Sequence, residues 1–257
     1  ITNDEITPKD RFGIIFNNDT QWTSASMGKS LVSYVTGHAI CEGYIDGVDA
    51  RLNDWPLLEN TLFYDQKLID LLNMAAGDQR YAGYDLKTNK YSKNPNNNTI
   101  KFHMKNGIFK NTKKSKNKYN YSNVISNIVI NYVWHKSDGN FQKLLDKIFI
   151  EKAKVKNDVW FLRMKKNNVE FRYEVNDEDG PIRYSFRASR YDYLRIVKAM
   201  VDDWKNDTCV GKYLKEIYKR KISKNSKKTD PKSANGMSKS YAGFFHTNYK
   251  GINNSRS

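Results

Sequence analysis

The stretch Thr23-Ser24-Ala25-Ser26-Met27-Gly28-Lys29-Ser30, followed at once by an apolar-periodic run to Glu42, constrains this chain more than any other. Met27, Leu31, Val35 and Ala39 recur every fourth residue, and Val32 and Ile40 widen the same stripe. That is the period of an amphipathic helix with a buried face. Gly43 stands where a left-handed C-terminal cap is expected. Ser26 and Lys29 then lie one turn apart at the helix start, where residues three apart face the same way.

A serine hydroxyl is a poor nucleophile until a base takes its proton. A lysine amine can be that base only if burial brings its pKa down towards neutrality. The helix start helps, because its free N–H groups and positive dipole end favour alkoxide and disfavour ammonium. The competing reading is a helix-capping serine followed by a solvated lysine. The run Ser115-Lys116-Asn117-Lys118 shows how easily Ser-x-x-Lys arises in a lysine-rich chain, so context has to decide.

At 257 residues the chain can bury a real core, as one large domain or two intertwined ones. It begins with Ile, and no basic-then-apolar leader precedes it, so it reads as a mature chain or a fragment and leaves the compartment open. No apolar run reaches the roughly 18 residues of a membrane span. The net charge of +16 would suit an anionic partner. Its lysines, however, travel with asparagines in 110–118, 165–168 and 219–232, without the interleaved aromatics of a base-stacking surface. These runs read as solvated loops and a helix end, and no nucleic-acid partner is expected. Cys41 and Cys209 match no disulfide framework or metal spacing, and the four histidines are scattered, so no metal or other cofactor is expected.

Along the chain, Arg11–Phe16 reads as a short strand and Gln66–Ala76 as a helix capped by Gly77. The segment 78–118 reads as a long polar excursion. Tyr121-Ser122-Asn123 opens a second apolar-periodic run through Val133, with Ser122 or Asn123 as N-cap. A helix over Phe141–Glu151 follows, then strands over Val159–Leu162 and Val169–Val175 and a turn over Asn176–Pro181. Helices over Ala188–Trp204 and Val210–Ile222, a loop over Ser223–Ser238 and a last strand over Tyr241–Tyr249 complete the order. A sheet interrupted by a helical insertion fits it better than alternating βαβ units. The expected division is an α/β sheet region, 1–57 and 157–257, around a mainly helical region, 58–156.

Tyr121-Ser122-Asn123 is the only Tyr-x-Asn in a chain with 17 tyrosines. With Ser-x-x-Lys before it and a loop-to-helix boundary at its position, the sequence resembles the serine beta-lactamase and penicillin-binding-protein superfamily. The likeness is greatest to its class C beta-lactamase, D-alanyl-D-alanine carboxypeptidase and esterase branch. Ser24–Ile45 resembles that branch's nucleophile helix. Leu68–Gly77, Tyr121–Ile150 and Ser185–Ala199 resemble three later segments in the same order.

The resemblance implies an α/β fold of the beta-lactamase/transpeptidase type: an antiparallel sheet flanked by helices beside an all-helical region. It implies Ser26 as acyl-accepting nucleophile, Lys29 as proton acceptor, Tyr121 as the group returning that proton to the leaving group, and Asn123 as a hydrogen-bond partner of Lys29 and substrate. The substrate would be a small ester or amide. The branch also carries a third motif, typically Lys-Thr-Gly or a His or Trp variant, on a strand beside the nucleophile. No Lys-Thr-Gly occurs here; His246-Thr247-Asn248 is the candidate stand-in. The chain also stops before the Gly-rich segment and further strands that members usually carry, which is expected to weaken folding or turnover. Two alternatives follow: a catalytically weak or inactive member binding a cell-wall peptide or other anionic ligand, and, ranked below it, a nucleic-acid-binding protein.

Overall fold

The computed structural model describes residues 17–78, 84–85, 90–91, 114, 117–164, 171–172, 182–224 and 238–249. Its central element is α1, Gly28–Cys41. Of the predicted stripe, Leu31, Val32, Val35 and Ala39 are buried and Ile40 is half-buried, whereas Met27, in the turn that precedes the helix, is exposed. Lys29, Ser33, Thr36 and His38 are buried too, so the helix has no solvated face over most of its length. Its hydroxyls are satisfied internally. Ser33 Oγ lies 2.9 Å from the Tyr213 hydroxyl, and Thr36 Oγ1 donates to the Val32 carbonyl at 2.8 Å. The helix ends as expected: Gly43 is left-handed at φ +79°, its N–H donates to Ile40 O, and the Tyr44 N–H donates to Ala39 O. These two bonds form a Schellman cap.

Helix α2 is shorter than the periodicity predicts, Leu68–Leu72 in place of Gln66–Ala76. The chain leaves the helix because Met74 turns left-handed at φ +55°, three residues before Gly77. Two short strands, β2 (Tyr84–Asp85) and β3 (Lys90–Tyr91), pair antiparallel. Helix α3 runs Asn123–Lys136, and Ser122 takes the N-cap place with extended backbone but no side-chain capping bond. Helix α4, Phe141–Asp146, continues as a π-helical stretch, Lys147–Lys152.

A four-stranded antiparallel sheet follows, in the order β1 (Gln21–Thr23), β6 (Ile182–Ser189), β4 (Trp160–Met164), β5 (Phe171–Arg172). Its central strand β6 has no counterpart in the sequence reading, which carries a turn to Pro181 and starts a helix at Ala188. Yet Ile182, Tyr184, Phe186 and Ala188 alternate with Arg183, Ser185, Arg187 and Ser189, a clear period of two. The following helix α5 begins later than predicted and runs Arg190–Lys205, with Ser189 as N-cap accepting from the Asp192 N–H. Helix α6, Cys209–Lys219, leads to β7 (Ile222–Ser223).

The single last strand predicted over Tyr241–Tyr249 is instead a hairpin, β8 (Ser238–Ala242) and β9 (Phe245–Tyr249), with β7 on its outer edge. Gly243 and Phe244 both have positive φ, +53° and +70°, the requirement of a two-residue type I′ turn. That turn is fixed against the helices. The Phe244 N–H donates to Leu72 O, the Gly243 N–H donates to Asn73 Oδ1, and Ser30 Oγ donates to Phe244 O.

Cys41 and Cys209 form a disulfide across 168 residues, joining the end of α1 to the start of α6. This corrects the sequence reading, in which the two cysteines fitted no framework: separation along the chain says nothing about two helix ends brought together by packing. Among the described residues no helix is long and apolar enough to cross a membrane. The expected strand Arg11–Phe16, most of the excursion 78–118, the Ser115 start of the second Ser-x-x-Lys, most of Val169–Val175 and most of the loop Ser223–Ser238 lie outside the described residues.

Candidate active site

Ser24 anchors the nucleophile segment to the sheet. Its N–H donates to Phe186 O at 2.8 Å, and its Oγ accepts from the Phe186 N–H at 2.8 Å. Ala25 then takes a left-handed conformation, φ +45°, unusual for a residue with a Cβ and a local store of strain. Ala25–Met27 make one 3₁₀ turn that runs directly into α1, leaving Ser26 exposed on it. Gly28 lets the helix start lie against β6. A Cβ there would stand 2.2 Å from Tyr184 O and 2.5 Å from Ser24 Oγ.

That close approach buries Lys29, which is 1 % exposed. Its Nζ has no hydrogen-bond partner among the described residues. It lies instead over two aromatic faces, 3.5 Å from the centroid of Tyr184 and 4.7 Å from that of Tyr121. Burial, with the Arg183 charge adding to it, brings the amine's pKa down from 10.5 to about 7.

Tyr121 enters from the start of α3. Burial raises its phenol, and the neighbouring Ser26 acts the other way. Burial, then the neighbouring Tyr121, raise the phenol of Tyr184 as well, while Arg183 and Ser26 oppose them. Ser26 therefore acts on two phenols, one at the entrance of α3 and one on β6. Tyr184 is held by its strand: its N–H donates to Asn127 Oδ1 at 2.9 Å, and Asn131 both accepts from the Ile182 N–H and donates to the Ile182 carbonyl. Helix α3 thus presents Tyr121 and, through Asn127 and Asn131, fixes the strand that presents Tyr184.

Asn123 is the first residue of α3. Its Oδ1 is buried without a hydrogen-bond partner among the described residues. The bond from Lys29 to Asn123 that the resemblance implies is therefore not made in this geometry. His246, on β9, does reach the cluster: its ring stacks on Tyr121 with centroids 6.1 Å apart, and its Nδ1 lies 3.2 Å from Lys224 Nζ. Burial, the Lys224 charge and the Lys29 charge together lower the imidazole to about 4, so it is neutral at pH 7. Thr247 Oγ1, next on the strand, is buried without a partner among the described residues. Beside this cluster lies an apolar cavity of about 510 Å³, lined by Met27, Leu31, Val197, Trp204 and Phe245 and reaching His246.

Ser26, Lys29, Tyr121 and His246 thus converge, although their sequence positions span three separated segments. Tyr184 and Arg183 were missed; the alternation through Ile182–Ser189 was the signal that could have placed them. Among the described residues no group of three or more His, Cys, Asp or Glu could hold a metal ion.

Three of the solved structures that share this architecture serve for comparison. They are a class C beta-lactamase from Rhodobacter sphaeroides (14% identity, TM-score 0.51, 79% of this chain and 57% of that one) and a beta-lactamase from Sulfitobacter sp. EE-36 (15%, 0.53, 81% and 57%). The third is an octameric penicillin-binding protein homologue from Pyrococcus abyssi (14%, 0.50, 80% and 50%). The fold is the beta-lactamase/transpeptidase-like one, with helices packed on antiparallel sheet. The chain spans half to somewhat over half the length of these structures. No protein-family model and no curated protein matches the sequence.

Proposed function

We propose that this protein is a serine hydrolase of the beta-lactamase-related type, cleaving an ester or amide through an acyl-enzyme on Ser26. One observation carries the reading: an amine with a pKa near 7 is buried one turn from an exposed serine that acts on a neighbouring tyrosine phenol. In the proposed cycle Ser26 Oγ attacks the carbonyl while its proton passes by way of the Tyr121 hydroxyl to neutral Lys29. Tyr121 then returns a proton to the leaving alcohol or amine, and water hydrolyses the acyl-serine by the reverse route. The Ser26 N–H would be one donor for the developing oxyanion, and β9, whose His246 stacks on Tyr121, is our candidate for the second. A missing oxyanion donor costs about 2.7–4 kcal/mol in transition-state stabilisation. The disulfide suits an oxidising compartment.

A fluorophosphonate probe is expected to label the wild-type chain at Ser26, and Ser26→Ala is expected to abolish labelling. Equal labelling of the alanine variant would refute the assignment. A second reading, a weak or inactive relative that binds an anionic cell-wall peptide, draws support from Lys29 and Asn123, whose buried polar atoms lack the bond that catalysis would use at rest. It predicts salt-sensitive retention on an anionic polymer with no ester turnover.

A further inference from the structure

The amine of Lys29 has no hydrogen-bond partner among the described residues, yet it is almost wholly buried. A lysine in that position needs something to hold it. The groups that act on it are Tyr121 from the entrance of α3, Arg183 and Tyr184 from β6, and His246 from β9. The Tyr184 ring is nearer than that of Tyr121, with Nζ 3.5 Å above its centroid.

We propose, building on the hydrolase reading above, that Tyr184 is a positioning residue of the site, its ring seating the Lys29 amine and its hydroxyl orienting Ser26. Three observations converge on this. The ring face carries the negative end of the aromatic quadrupole, which attracts an ammonium and leaves a neutral amine nearly untouched. The hydroxyl of the same side chain is close enough to Ser26 for the serine to lower its pKa, so one residue reaches both partners of the proton transfer. The side chain is also pre-set: Tyr184 is 7 % exposed, and its backbone is clamped by Asn127 on one side and pressed by Gly28 on the other. A tyrosine that merely filled the core would use its ring against apolar neighbours, not against a partnerless amine.

The two parts of the side chain have separable effects. Its ring stabilises the charged form of Lys29 and so opposes burial and Arg183, which favour the neutral form. Removing the ring lowers the amine's pKa; removing only the hydroxyl leaves that titration in place and disturbs Ser26.

The test uses the full chain as wild type, Tyr184→Phe and Tyr184→Leu, with Tyr184→Met as a second ring-free variant and thermal melting as the folding control. Titration of Lys29 is read directly, by the pH dependence of trace acetic anhydride labelling at its peptide in mass spectrometry. Fluorophosphonate labelling of Ser26 is timed in parallel. Tyr184→Phe should titrate as wild type and label Ser26 about tenfold more slowly, an effect in the range of lost proton-transfer positioning. The ring-free variants should titrate about one pH unit lower, a tenfold change in the ammonium-to-amine ratio. Unchanged titration in both folded ring-free variants would overturn the seating role, and unslowed labelling in Tyr184→Phe would overturn the orienting one. Absence of Ser26 labelling in the wild type would instead sink the hydrolase reading, and the acetylation titration would still decide the role of the ring.

Discussion

Lys29 carries opposite consequences for stability and for chemistry. A buried amine whose pKa falls from 10.5 to about 7 binds fewer protons than the unfolded chain between those two values. Stability therefore rises with pH across that window, and below about pH 7 the folded protein carries the full penalty of a buried ammonium. Replacing it by an apolar side chain of similar length, Lys29→Met, should stabilise the fold at pH 6 by on the order of 2 kcal/mol, read from urea midpoints, while abolishing Ser26 labelling. The wild-type labelling rate should climb with pH and reach half its plateau near 7, because only the neutral amine accepts the serine proton. A rate that is flat from pH 5 to 9 would separate Lys29 from the chemistry. At this scale the sequence was informative about identity and spacing. It could not supply burial, which Gly28 makes possible by letting α1 approach β6.

The elements are held to each other by polar contacts as much as by apolar ones. Asn127 and Asn131, four residues apart on α3, hydrogen-bond the backbone of β6. Asn127→Ala would leave the buried Tyr184 N–H without its acceptor, a loss of about 1–3 kcal/mol in a urea titration. Gly28→Ala works from the other side of β6. Its added methyl cannot fit 2.2 Å from the Tyr184 carbonyl, so helix and strand must part, with an expected cost of about 1–3 kcal/mol and slower labelling of Ser26. Periodicity identified α1 and α3 because their apolar spacing is local information. It missed β6 because the segment ends in Ala188-Ser189, which reads as a helix entrance and masks the eight-residue alternation before it. It also merged β8 and β9. Gly243-Phe244 is an unusual turn pair, and Phe244 holds φ +70° only because its own N–H and carbonyl are bonded to Leu72 and Ser30.

For the whole molecule, the disulfide is the longest covalent constraint. It closes 168 residues between the end of α1 and the start of α6, so it restricts the unfolded chain strongly. Its loss in a Cys41→Ala/Cys209→Ala variant should lower stability by about 2–4 kcal/mol, seen as a reduced urea midpoint, with the Ser26 segment at the opposite end of α1 little disturbed. The same helix ends gather a buried network: Asp203 accepts from Tyr34 and Thr208 and pairs with Lys152 at 2.6 Å. Helix α1 therefore runs from the candidate nucleophile to a covalently fastened terminus, and the rigidity of one end supports the placement of the other.

The amino-acid sequence by itself determined the helix that follows Ser26, the one-turn spacing to Lys29 and the entrance of α3 after Tyr121. These follow from periodicities and end signals written within a few residues of each other. Tertiary structure alone decided that Lys29 is dry, that His246 meets Tyr121, that Tyr184 covers the amine and that two distant cysteines join. Each of those depends on surfaces brought together across 80 residues or more, and side-chain burial and pKa have no value until that packing exists.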